Sequence, residues 1–104
     1  MIFSSLFKNS FSSAAERAFE TPDARIIDVR TPAEFASGHL PDAENIPLDT
    51  IASAKLEGGK KLFVYCHSGA RSARAVAYLL KSIGADAVDL GGIAGYKGKL
   101  IGGK

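Results

Sequence analysis

The sequence has no tryptophan, one methionine and one cysteine. With Cys66 alone, no intrachain disulfide can form, and the paired cysteines that hold structural zinc are absent. Long apolar runs are also missing. No stretch approaches the roughly 18 residues that span a bilayer, and runs such as Leu62-Phe63-Val64-Tyr65 are strand-sized, so no membrane contact is expected. Charge of one sign is scarce as well: 13 Lys plus Arg against 11 Asp plus Glu leave +2 over 104 residues, too little to imply a nucleic-acid partner. What is present suits one compact domain, since 46% hydrophobic and 23% charged residues supply a single core without the charge excess of a disordered chain.

The opening segment Met1-Ile2-Phe3-Ser4-Ser5-Leu6-Phe7-Lys8 is apolar, yet its charge follows a short run already broken by serines. It therefore does not read as a secretory signal. Ile2, Phe3, Leu6 and Phe7 stand at helical spacing, to pack on the domain or lie on a partner surface. From Ser10 to Glu20 a short helix is expected, with Phe11, Ala14, Ala15, Ala18 and Phe19 on one face, broken by Thr21-Pro22-Asp23. This N-terminal segment, 1–24, is expected to pack on a core of 25–98, with 99–104 as a solvated tail.

Arg25 to Val29 reads as a strand buried on both faces. Thr31-Pro32-Ala33-Glu34 is a capping box with proline at the first helical position, opening a helix that stops at Gly38. Pro41-Asp42 makes a turn, and aspartate after the proline favours type I over type II, which wants a positive φ there. Asn45 to Leu48 is extended ahead of a short helix from Asp49 to Leu56 that ends at Gly58-Gly59. Leu62 to Tyr65 is a second strand and Ala87 to Leu90 a third. Between them a helix from Ser72 to Ile83 is expected to bury Ala73, Val76, Ala77, Leu80 and Ile83, leaving Arg74, Tyr78 and Lys81 outside. A short last helix is expected at Ile93 to Lys97. Strands alternating with helices indicate an α/β fold with a mainly parallel central sheet flanked by helices on both faces. Sites in such sheets form beyond the carboxyl ends of the strands.

Cys66 stands at one such end. The segment Cys66-His67-Ser68-Gly69-Ala70-Arg71 joins a strand to a helix in very few residues, so it must curl, and Gly69 supplies the freedom in φ. A curled backbone turns successive N–H groups inward, and the helix N-terminus adds partial positive charge. The result is an anion cradle in which a thiolate is favoured and an incoming oxyanion is held beside it. Arg71 is expected to steer the anion. Ser72 either donates to the sulfur or caps the helix, while His67 contributes its backbone amide and turns its ring to solvent.

Arranged in order along most of the chain are Asp28-Val29-Arg30, Glu34-Phe35, Gly38-His39-Leu40-Pro41, Ala43, Asn45-Ile46-Pro47, the loop Cys66 to Ser72, and Gly91-Gly92. In these pieces the sequence resembles the rhodanese-like sulfurtransferases in their small single-domain form. The resemblance implies a rhodanese-like fold and a cytoplasmic enzyme that needs no metal or organic cofactor. It implies that Cys66 takes a sulfane sulfur from a small anionic donor such as thiosulfate, as a persulfide bound among His67, Ser68, Gly69, Ala70, Arg71 and Ser72. The sulfur then passes to a thiophilic acceptor such as cyanide, a thiol, or a thiol-bearing or sulfur-carrier protein. A relay module moving persulfide between proteins is the alternative. Related phosphatases and arsenate reductases carry one more residue between cysteine and arginine than the four here, so the smaller cradle favours sulfur. By the same resemblance Asp28 and Arg30 hold the scaffold, and Tyr96 takes a place often filled by tryptophan. His39 reads as a satisfied buried histidine.

Overall fold

In the computed structural model, which describes residues 11–56 and 59–102, helices and strands alternate along the chain. Helix α1 (Phe11–Glu20) is followed by β1 (Arg25–Asp28), α2 (Pro32–Ser37), β2 (Ala43–Asn45), a 3-10 helix (Leu48–Ser53), β3 (Leu62–Cys66), α3 (Ala70–Ser82) and β4 (Ala87–Gly92). The four strands form one parallel sheet in the order β2-β1-β3-β4. The expectations placed on residues 1–10, on Gly58 and on residues 103–104 lie outside the described residues.

Side chains alternate between the two faces of each strand, so the apolar runs of β1 and β3 feed two cores. On one face Ile27, Leu62, Val64 and Cys66 pack with Ala75 and Leu79 of α3 and Ile51 of the 3-10 helix. On the other, Ile26, Phe63 and Tyr65 pack with Ala15 and Ala18 of α1. Helices thus cover both faces. Phe11 meets Tyr65 and Tyr96 edge-on, at 5.6 and 5.4 Å between ring centroids.

The capping box forms as its residues dictate. Thr31 Oγ1 accepts the Glu34 amide at 3.2 Å, Glu34 Oε1 accepts the Thr31 amide at 2.9 Å, and Pro32 opens the helix. At the end of β1, Asp28 and Arg30 form a buried ion pair at 2.6 Å, and the same guanidinium donates to Gly38 O at 2.7 Å. His39 is buried, stacks on Phe35 with ring centroids 3.6 Å apart, and places Nδ1 2.8 Å from Phe35 O.

Several expectations fail for identifiable reasons. Helix α3 starts at Ala70 and buries Ser72, Ala75, Val76 and Leu79, while Ala73, Ala77 and Leu80 are exposed and Tyr78 is partly buried against the core. The face is turned because Ser72, a polar residue, points inward toward Cys66. Phe19 is exposed rather than on the packed face of α1. Ala43–Asn45 is a strand, hydrogen-bonded to β1, where the sequence reading has a turn at Pro41-Asp42 and extended chain only from Asn45 to Leu48. Ile93 to Lys97 forms a turn closed by Tyr96 N–H to Ile93 O at 2.9 Å, because Gly95 takes φ +82° and ends any helix there. Asp42 has φ +68°, the sign that a type II turn requires at that position, with Ala43 N–H donating to Leu40 O at 3.1 Å. Aspartate tolerates the left-handed region better than most residues, so the type I expectation is wrong. Nor does the C-terminal stretch run free: Ile101 exchanges two 2.8 Å backbone hydrogen bonds with His39.

Candidate active site

The carboxyl end of β3 carries Cys66, and the chain turns at once into α3 through His67, Ser68 and Gly69. Two features make so abrupt a turn possible. Gly69 takes φ +105° immediately before the helix, a conformation open mainly to glycine. Gly92 lies beside Cys66 in β4, and a Cβ there would meet His67 O at 2.4 Å and Ser68 Cα at 2.7 Å. The loop therefore rests on bare backbone, held by Ile93 N–H to Cys66 O at 2.8 Å and Ala94 N–H to His67 O at 3.0 Å.

Curling the loop aims amides at the sulfur. Cys66 is fully buried, and its Sγ accepts N–H bonds from Gly69 at 3.0 Å and Ser72 at 3.3 Å. Both donors, and the first turn of α3, point partial positive charge at the sulfur. Ala70 and Arg71 occupy that turn, where no intrahelical carbonyl lies behind their amides. His67 and Ser68 are exposed, so the loop faces solvent on that side.

Arg71, expected to steer an anion, is engaged by a carboxylate in this structure. Its guanidinium forms a two-pronged pair with Glu34, at 2.8 and 3.0 Å, tying the first turn of α3 to the first turn of α2. The hydrogen-bonded guanidinium, with help from the Thr31 amide and hydroxyl, holds the Glu34 carboxyl down at about 2 against some burial. Its partner Arg71 is shifted up. Beyond the pair opens a cleft of about 550 Å³ between the 3-10 helix and α3, with Arg71, Arg74 and Tyr78 on one wall and Leu48 and Ile51 on another. The cleft reaches the loop only at Arg71.

Ser72 is the third residue of α3, so it does not cap the helix. Its hydroxyl lies 3.6 Å from Cys66 Sγ and donates to Asp89 Oδ1 at 2.7 Å. Asp89 comes within reach through an irregularity: Val64 pairs with Asp89 but Tyr65 with Gly91, so Leu90 is an extra residue in β4. Neither Asp89 nor the second role of Glu34 follows from the sequence pattern. An acid inside the apolar stretch Ala87 to Leu90 is the one local sign of the former.

The arrangement offers a fully buried sulfur that accepts two amides, beneath a loop whose His67 and Ser68 are exposed, a setting suited to a nucleophile. Comparison with known proteins places the chain in a family. The rhodanese-like domain pattern matches residues 12–99. A sulfurtransferase of Allochromatium vinosum is 39% identical over 71 residues, covering 66% of each chain. The thiosulfate sulfurtransferase GlpE of Pseudomonas savastanoi pv. phaseolicola is 36% identical over 66 residues, 62% of each chain. The chain thus spans just under two thirds of the length of these relatives. The crystal structure of a rhodanese-like domain protein from Staphylococcus aureus superposes with a TM-score of 0.72 at 33% identity, covering 91% of this chain and 96% of that one. Among the described residues no helix is long and apolar enough to cross a membrane.

Proposed function

The chain belongs to the rhodanese-like domain family, and we propose that it moves a sulfane sulfur from thiosulfate, or another persulfide donor, to cyanide or a thiol through a persulfide on Cys66. The observation that carries this reading is the pair of amides, Gly69 and Ser72, donating to the Cys66 sulfur at 3.0 and 3.3 Å.

The thiolate of Cys66 attacks the outer sulfur of thiosulfate. A new S–S bond forms, the donor's S–S bond breaks, and sulfite leaves with the electron pair. Cys66 now carries a persulfide, and the amides of Ala70 and Arg71, in the first turn of the helix where no intrahelical carbonyl lies behind them, are available to its outer sulfur. Cyanide then attacks that outer sulfur, the S–S bond breaks, thiocyanate departs, and the pair returns to Cys66 as thiolate. No oxidant or reductant is consumed, and splitting one transfer into two gives ping-pong kinetics.

Arg71 steers the anionic donor, although its fork is shared with Glu34. A protein acceptor, a thiol-bearing or sulfur-carrier partner, approaches from the side on which His67 and Ser68 are exposed. A cytoplasmic setting, where a lone thiol stays reduced, suits this chemistry.

Steady-state thiocyanate formation from thiosulfate and cyanide tests the reading. Double-reciprocal plots at several cyanide concentrations should be parallel, and Cys66→Ser should be inactive. Arg71→Ala should raise KM for thiosulfate about three- to tenfold with kcat within about twofold, the loss of one screened charge contact. Turnover of an aryl phosphate in place of sulfur transfer would refute the assignment.

A further inference from the structure

We propose that Asp89 is a positioning residue for the Cys66 sulfur, acting through the hydroxyl proton of Ser72. The inference rests on Cys66 being the nucleophile of the proposed reaction. A serine hydroxyl carries one proton and two lone pairs. Around Ser72 Oγ lie Asp89 Oδ1 at 2.7 Å, Gly69 O at 3.2 Å, Gly91 O at 3.5 Å and Cys66 Sγ at 3.6 Å. The carboxylate oxygen is the nearest acceptor and the charged one, so it takes the proton. Oγ is then left with lone pairs toward the sulfur: it accepts from the Cys66 S–H and has no proton for a thiolate.

Asp89 is itself fixed for this task. The same Oδ1 accepts the Gly91 amide at 2.8 Å, an aspartate turn closed two residues on. The extra residue Leu90 leaves Asp89 opposite Val64, on the sheet face that carries Cys66 and α3. Ser72 and Cys66 are fully buried, so the hydroxyl and the sulfur face each other away from water, while Asp89 reaches them from the exposed side of β4. The sulfur bears thiolate charge at the start of each proposed cycle and regains it when the outer sulfur leaves. By withholding the hydroxyl proton, Asp89 sets how strongly the chain favours thiol over thiolate.

The test is the pH profile of Cys66 alkylation by iodoacetamide, read as intact mass. It requires no sulfur transfer, so its outcome is independent of whether thiosulfate is the donor. Asp89→Ala should move the midpoint down by about half to one pH unit, a roughly three- to tenfold gain in thiolate, because the freed hydroxyl gives a charge-assisted bond to sulfur. In a Ser72→Ala background, where only the direct effect of the charge remains, the same change should give at most about half that shift. Asp89→Ser keeps a hydroxyl acceptor for the Gly91 amide but has no carboxylate, and yields the same pair of results if the alanine variant does not fold. A midpoint that stays or rises on removal of Asp89, or an equal drop in both backgrounds, would overturn the proposal. A merely structural role would lower the melting temperature and leave the profile in place.

Discussion

At residue scale, the site depends on an atom that is missing. Gly92 has no Cβ, and the space is filled by the carbonyl of His67 and the backbone of Ser68. In Gly92→Ala the loop must shift by roughly 0.6 to 1 Å to relieve the 2.4 Å contact with His67 O, loosening the Gly69 amide from the sulfur. The expected cost is about 2–4 kcal/mol in urea unfolding, together with slower alkylation of Cys66 at neutral pH. A variant of native stability and native alkylation rate would show that the loop does not lean on Gly92. The Gly91-Gly92 pair is visible in the sequence as a motif, but the reason for its second glycine is not, because the contact joins residues far apart in the chain. Cys66 and its loop are legible for the opposite reason: strand end, Gly69 and helix start are neighbours in sequence. Ser72 shows the limit of that locality. Its inward-facing hydroxyl bonds Asp89, 17 residues away.

Among the elements, α2 was the most readable and α3 the least. The capping box of α2 is settled by residues three apart, whereas the face of an alanine-rich helix is decided by what it packs on. Ala73 and Ala77 are as apolar as Ala75, and only the sheet tells them apart. The tie between the two helices, Glu34 to Arg71, spans 37 positions and left no local trace. It has a consequence for acid stability. The folded Glu34 carboxyl sits at about 2, below its value of 4.5 outside the fold, so it binds fewer protons folded than unfolded. Its contribution is therefore complete above about pH 4.5 and is lost as pH falls toward 2. Because the pair is partly exposed, the expected size after screening is no more than about 1 kcal/mol. Urea melts of wild type and Glu34→Gln should converge over that interval, wild type being the more stable above it. Parallel curves throughout would show that the ion pair does not anchor α2 to α3.

For the molecule as a whole, the parallel sheet was legible from its continuous apolar runs, with one strand missed. Ala43–Asn45 is too short and too polar to announce itself, and it is a strand because β1 offers it an edge. The fold puts a fully buried thiol where the end of a central strand, the start of a helix and a bare stretch of β4 converge. On the proposed function this assembly makes Cys66 a sulfur carrier. The most direct test is the intact mass of reduced wild type and Cys66→Ser after exposure to thiosulfate, with and without added cyanide. Wild type alone should gain one sulfur, which cyanide removes as thiocyanate appears. A wild-type mass unchanged by thiosulfate and by persulfide donors, while Cys66 still alkylates, would contradict it.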